Sequence, residues 1–226
     1  MSSFFSVILT HRHGAGIFIC NEEFTQTEVE LKNINIPEKL QFKIDSLSPP
    51  FRKLYFQTYL LIKKKNIKSK DSMEFLSQKN MILARSLGRT AESLLALYER
   101  ALENLCIEES QIKKILLGTG PGSFTGLRLG AAFVQGLVLT GSKRTYEIPT
   151  LLTEELINNS PSHPNIKEEI ESELSLKKVH DPSSGQITFY DMLYSIIELE
   201  NALKQETNGI DIKYGKECTP VLRLTK

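Results

Sequence analysis

Tryptophan is absent from this chain, and only three cysteines and four histidines occur in its 226 residues. Cys20, Cys106 and Cys218 lie far apart, and no pair has CxxC or Cys/His spacing. That excludes a zinc-ribbon site and a disulfide framework, and reads as three thiols of a reducing cytosol. Of His11, His13, His163 and His180, only the first two are close. With no further ligand in sight, they read as two loop histidines and no metal is expected. The chain also lacks an excess of either charge, with 28 basic and 27 acidic residues and a net charge of +1. No bulk field therefore draws nucleic acid or an anionic membrane. Long apolar runs are missing too: the one at the start, Phe4 to Leu9, covers six residues and has no basic stretch before it. That excludes a membrane span and a secretory signal, and the expected location is the cytoplasm.

What is present suits a folded chain. Hydrophobic residues make up 40% and charged residues 24%, ordinary values for a globular protein large enough for one domain or two small lobes. Phe4 to Leu9 and Gly16 to Cys20 read as two strands joined by a polar turn, and Phe24 to Leu31 alternates as a third strand would. From Lys32 to about Asn80 prolines and lysines interrupt the pattern, and Phe51 to Ile62 holds enough apolar residues for a strand pair or a short helix. This stretch is expected to be an ordered insertion at about 33–80. The basic run Lys63, Lys64, Lys65, Lys68 and Lys70 reads as a solvated loop, because no aromatics or arginine forks accompany it.

Leu83 to Leu105 carries the clearest helical pattern. Leu87, Ala91, Leu94, Leu95, Tyr98, Ala101, Leu102 and Leu105 recur at three- and four-residue steps and predict one apolar stripe. Ile115 to Leu117 follows as a strand, a helix is expected from Thr125 to Thr140, and Thr145 to Ile148 is a further strand. A helix is expected to start at Pro149-Thr150 and run through Ile157. Strands, insertion, helix, strand, helix and strand in that order predict an α/β fold on a mixed sheet with flanking helices. Beyond Asn158 the chain is polar, with an acidic cluster at Glu168, Glu169, Glu171 and Glu173. A helix is predicted over Phe189 to Leu203 and a short strand over Thr219 to Leu224.

The densest stretch is Gly118-Thr-Gly-Pro-Gly-Ser-Phe-Thr-Gly126-Leu-Arg-Leu-Gly130, a glycine loop between a strand and a helix. Glycines let backbone approach a partner closely, and a helix N-terminus offers free N–H groups, so the loop Gly118 to Gly126 is chemically able to cradle an anion. The nucleotide motifs do not fit: neither GxxxxGK[ST] nor GxGxxG is present. The structural alternative is a tight turn at Pro121-Gly122, a cap from Ser123 or Thr125, and close helix packing at Gly126, Gly130 and Gly136. Arg128, one turn into an apolar helix, is a candidate for a charged partner or for contact with the loop.

Gly120-Pro-Gly-Ser-Phe-Thr-Gly-Leu-Arg-Leu-Gly130 resembles the signature of TsaB-type (YeaZ-type) proteins, the dimerisation subunits of the bacterial machinery that makes threonylcarbamoyl-adenosine in tRNA. The resemblance covers roughly residues 84–150 and, weakly, the first strand and the terminal TPVLR segment. It implies an actin-like fold of ribonuclease-H-like lobes: a first lobe over 1–150 containing the insertion, and a short or incomplete second lobe over 151–226. It also implies a partner, the related catalytic TsaD-type subunit, with a TsaE-type ATPase joining the assembly, a homodimer as the other arrangement, and tRNA met only indirectly. The subunit's implied role is that of a scaffold. The docking face would use the helices Leu83 to Leu105 and Thr125 to Thr140 through Leu87, Ala91, Leu94, Leu95, Tyr98, Phe133 and Leu137. The loop and interface would use Gly120, Gly122, Ser123, Phe124, Thr125, Gly126 and Arg128.

The chain departs from that family at its first turn, where Asp-Thr-Ser is replaced by Val7-Ile-Leu-Thr-His-Arg. The helix Leu87-Gly-Arg-Thr-Ala-Glu-Ser-Leu has none of the histidines by which the catalytic relatives hold metal. Ser123 does not stand in a GxSxG elbow, and no carboxylate pair or Cys/His couple appears. The expectation is a non-enzyme without cofactor. The alternatives are an actin-like ATPase using the glycine loop, which would need carboxylates to place magnesium, and a degenerate paralogue that no longer supports tRNA modification.

Overall fold

The computed structural model describes residues 2–11, 14–23, 38–64, 72–120, 123–139, 141–150 and 187–205. Six strands form one mixed sheet: β1 (Phe4–His11), β2 (Gly14–Asn21), β3 (Met73–Gln78), β4 (Met81–Ser86), β5 (Ile112–Gly118) and β6 (Arg144–Ile148). Their spatial order is β3-β4-β2-β1-β5-β6. β1, β2 and β4 run antiparallel in turn, while β5 and β6 run parallel to β1. This is an α/β fold on a mixed sheet with flanking helices, in which β3 is an edge strand paired antiparallel to β4.

Among the described residues five helices flank the sheet: α1 (Glu38–Ser46), α2 (Pro49–Lys63), α3 (Thr90–Leu105), α4 (Phe124–Leu139) and α5 (Phe189–Ala202). Side-chain alternation on the strands sends Phe5, Val7 and Leu9 to one face with α2 and α5. It sends Phe4, Ile8, Ile17 and Ile19 to the other face with α3 and α4. Both faces of the central strands are therefore covered, which is why β1 and β2 read as nearly continuous apolar runs.

One expectation is revised by this arrangement and another is narrowed to one of its two alternatives. The helical pattern drawn from Leu83 belongs to two elements: Met81–Ser86 is strand β4, fully buried against β2 and β3, and the helix begins at Thr90. Leu83 and Leu87 happen to continue the three- and four-residue spacing of α3, so periodicity alone ran the helix too far back. Phe51 to Ile62 lies within the single helix α2, whose two prolines Pro49 and Pro50 occupy the start where no N–H is needed. β4 lies beside β2; Phe24 to Leu31, expected as a third strand, lies outside the described residues, as do 151–157 and the terminal segment Thr219 to Leu224. The predicted helix over Phe189 to Leu203 is found as α5. It opens on a reciprocal cap in which Asp191 N–H donates to Thr188 Oγ1 at 3.1 Å and Thr188 N–H donates to Asp191 Oδ2 at 2.6 Å.

Candidate docking face

The β1–β2 hairpin is held at its tip by the first residues of both helices on one face. Thr90, which opens α3, donates its hydroxyl to the carbonyls of His11 and Gly14, the latter at 3.0 Å. α4 comes so close that a Cβ on Gly126 would meet the His11 backbone at 2.5–2.7 Å, and one on Gly130 would meet Thr10 Oγ1 at 2.5 Å. These two glycines are required by contact distance. At Gly136 an added Cβ would meet nothing within 4 Å, so that glycine faces outward with no such demand.

The loop before α4 is spent largely on itself and on β6. Gly120 has φ of 113°, a conformation that side chains strongly disfavour. Thr119 N–H donates to Ile148 O at 3.0 Å, and Thr150 N–H to Gly120 O at 2.9 Å. Ser123 caps α4 by accepting from Gly126 N–H at 3.2 Å. Two amides that an anion cradle would use are thus engaged within the chain. Gly122 and Pro121 lie outside the described residues, as do Arg12, His13 and the lysines 65, 68 and 70. No group of three or more His, Cys, Asp or Glu side chains with metal-binding spacing occurs among the described residues.

α3 and α4 pack side by side on the sheet, with the Tyr98 and Phe133 rings edge to face at 5.5 Å. Of the residues expected to face a partner, Leu94 and Tyr98 turn inward and are buried in the core under the sheet. They share their stripe with Leu97, Ala101 and Leu102, and this inward stripe is the one that periodicity detects. Phe133 and Leu137 are half-buried against the same core, and Leu87 stands in the turn before α3. Ala91 and Leu95 do point outward, Leu95 at 58% exposure.

On α4 the exposed residues are Phe124, Thr125, Arg128, Ala132, Gln135, Gly136 and Leu139. From Thr125 onward they recur at three- and four-residue steps, so they form one outward stripe, small or apolar apart from Arg128 and Gln135. Arg128 is its only charge; the guanidinium stacks over the Phe124 ring at 4.6 Å. The sequence singled out neither Ala132 nor Leu139, and the close packing expected at Gly136 is not found, since a Cβ there would meet nothing within 4 Å. The available signal was an unusually apolar helix with a second small-residue stripe displaced from the inward one.

Residues 88–163 match a family model. Its description is TsaD: tRNA N6-adenosine threonylcarbamoyltransferase. The matched stretch holds α3, the glycine loop, α4 and β6, about a third of the chain. It coincides with the segment in which the sequence resembles TsaB-type proteins. No curated protein matches the chain. Among solved structures, YeaZ from Pseudomonas aeruginosa matches with 14% identity and a TM-score of 0.40, covering 70% of this chain and 50% of its own. A second, an uncharacterized protein with similarity to peptidase YEAZ from Pseudomonas aeruginosa, matches with 14% identity and a TM-score of 0.38, covering 66% and 44%. The chain thus spans about half the length of the solved structures it matches.

Proposed function

We propose that this chain is a non-catalytic docking subunit of the machinery that makes threonylcarbamoyl-adenosine in tRNA, and that it binds a TsaD-type catalytic subunit through the outward face of α3 and α4. The observation that carries the reading is that face itself: Leu95, Ala132, Gly136 and Leu139 stand exposed on neighbouring helices. Both helices lie inside the segment matched by the family model. Apolar groups gathered on one side of two packed helices are what a helical partner buries. The residues proposed for the contact are Ala91 and Leu95 on α3, and Phe124, Thr125 and Arg128 on α4, with Phe133 and Leu137 behind them.

The glycine loop has a structural task in this reading. Gly120 makes the turn, Ser123 caps the helix, and Gly126 lets α4 settle onto the hairpin, so the loop fixes the height at which the docking helix stands. A second copy of the chain and a TsaE-type ATPase are the other proposed members of the assembly, with tRNA reached through the complex. Co-purification of the full chain with a TsaD-type catalytic subunit tests the proposal. Leu95→Asp is expected to abolish the complex while leaving the far-ultraviolet circular dichroism unchanged; a chain that never co-elutes with the catalytic subunit sinks the reading. Complementation of a strain lacking its TsaB-type subunit then separates a working subunit from a degenerate one. Calorimetry with ATP and magnesium addresses the ATPase alternative, for which no binding is expected.

A further inference from the structure

The docking reading leaves one group on the face without a purpose. Arg128 is the only charged side chain in the sixteen residues of α4, and it is exposed at the loop end of a stripe that is otherwise uncharged and, apart from Gln135, made of small and apolar groups. A cation about one turn from the helix N-terminus gains nothing from the macrodipole, which favours anions there. Among the described residues no carboxylate pairs with it. The neighbouring helix α3 exposes Glu92, Glu99 and Glu103, yet Glu92 is paired at 3.5 Å with Arg89, the residue just before that helix. What Arg128 does contact is the Phe124 ring, four residues earlier at 4.6 Å. That contact restricts the side chain to one direction without neutralising it.

If α4 docks, Arg128 loses water. An unpaired guanidinium buried in an apolar interface is strongly unfavourable, so an interface that includes it must supply the opposite charge. Guanidinium matches a carboxylate through two parallel hydrogen bonds, and the ring beneath pre-orders the fork for it. Resting on the docking reading above, we infer that Arg128 selects the partner by a carboxylate: the surface that covers α4 is an apolar helical face bearing an aspartate or glutamate opposite the Arg128–Phe124 pair. Leu95 and the small residues supply contact area, and Arg128 sets which partner fits and in what register.

The test uses the full chain and a TsaD-type catalytic subunit, with affinity measured by titration at low and high salt. Arg128→Gln, which keeps length and helix propensity, is expected to weaken binding about tenfold at low salt and to flatten the salt dependence. Arg128→Glu is expected to weaken it further, and Arg128→Lys to recover part of the loss, because the charge remains but the fork is gone. A charge-reversed acid on the partner's docking helix is expected to rescue Arg128→Glu. Unfolding midpoints confirm that each variant is folded, and Leu95→Asp separates the two claims. If Leu95→Asp abolishes binding while Arg128→Gln and Arg128→Glu bind as the natural chain does, the carboxylate inference falls and the docking reading stands. If none of the three changes affinity, both fall.

Discussion

At the scale of single residues, the glycines of α4 divide by what a methyl group would meet. Alanine in place of glycine within a helix is worth about 1 kcal/mol in propensity. At Gly136, where space is open, Gly136→Ala should realise that gain, raising the unfolding midpoint by about 2–4 °C in a chain of this size. At Gly126 the new methyl would press on the His11 backbone, which the sheet holds in place. Gly126→Ala is therefore expected to destabilise by about 1–3 kcal/mol, read by urea denaturation. Opposite signs for one substitution at two positions ten residues apart would be hard to obtain from propensity alone.

Cys106 offers a second residue-scale case. It ends α3 in the left-handed region, with φ of 53° and ψ of 44°. Its N–H donates to Glu103 O at 3.0 Å and the Ile107 N–H to Leu102 O at 3.1 Å, the paired closure that glycine usually makes. An L-residue carries about 1–2 kcal/mol of strain there. Cys106→Gly should relieve most of it, stabilising by about 1 kcal/mol after the glycine's greater freedom in the unfolded chain is counted. Differential scanning calorimetry would register the rise.

Among the elements, the insertion is attached by charge as well as by packing. Arg85 on β4 pairs with Glu74 on the edge strand β3 at 2.7 Å, both side chains buried. The Arg85 guanidinium also lies 4.7 Å from the Phe189 ring at the start of α5. One side chain thereby joins the insertion, the sheet and the late helix. Glu74→Leu takes the carboxylate of this buried pair away from Arg85 and is expected to cost about 3 kcal/mol. The double change Glu74→Leu with Arg85→Met should recover most of that loss in denaturant titrations. A double variant as unstable as the sum of the singles would show that the Phe189 contact, and not the ion pair, holds the insertion.

For the whole molecule, two covered faces mean that little of the sheet is reachable. Cys20 is buried in the core behind α2 and α5, and burial pushes its thiol well above the usual range, whereas Cys106 is exposed. With Cys218 replaced by serine, a thiol reagent at neutral pH is expected to modify one cysteine in the folded chain and two after denaturation. Fast reaction of Cys20 in the folded chain would mean that the α2–α5 layer opens. Among the described residues, the opposite side of the sheet presents the outward face of α3 and α4, on which the proposed function rests.

The amino-acid order by itself determined the alternation of apolar strands and amphipathic helices, and hence an α/β sheet. It also carried the glycine signature that marks the loop and α4, because these follow from local spacing and from residue types with few conformational options. Tertiary structure decided the rest. Met81–Ser86 became a strand because β2 and β3 offered it hydrogen bonds on both sides, which outweighs a three- and four-residue spacing shared with the next helix. It decided that Leu94 and Tyr98 are core while Leu95 is surface, since a periodic stripe marks the side facing the sheet and carries no information about a second, outward side. And it decided why Gly126 is a glycine: the reason lies in the backbone of His11, more than a hundred residues away in the chain and in contact only once the sheet has formed.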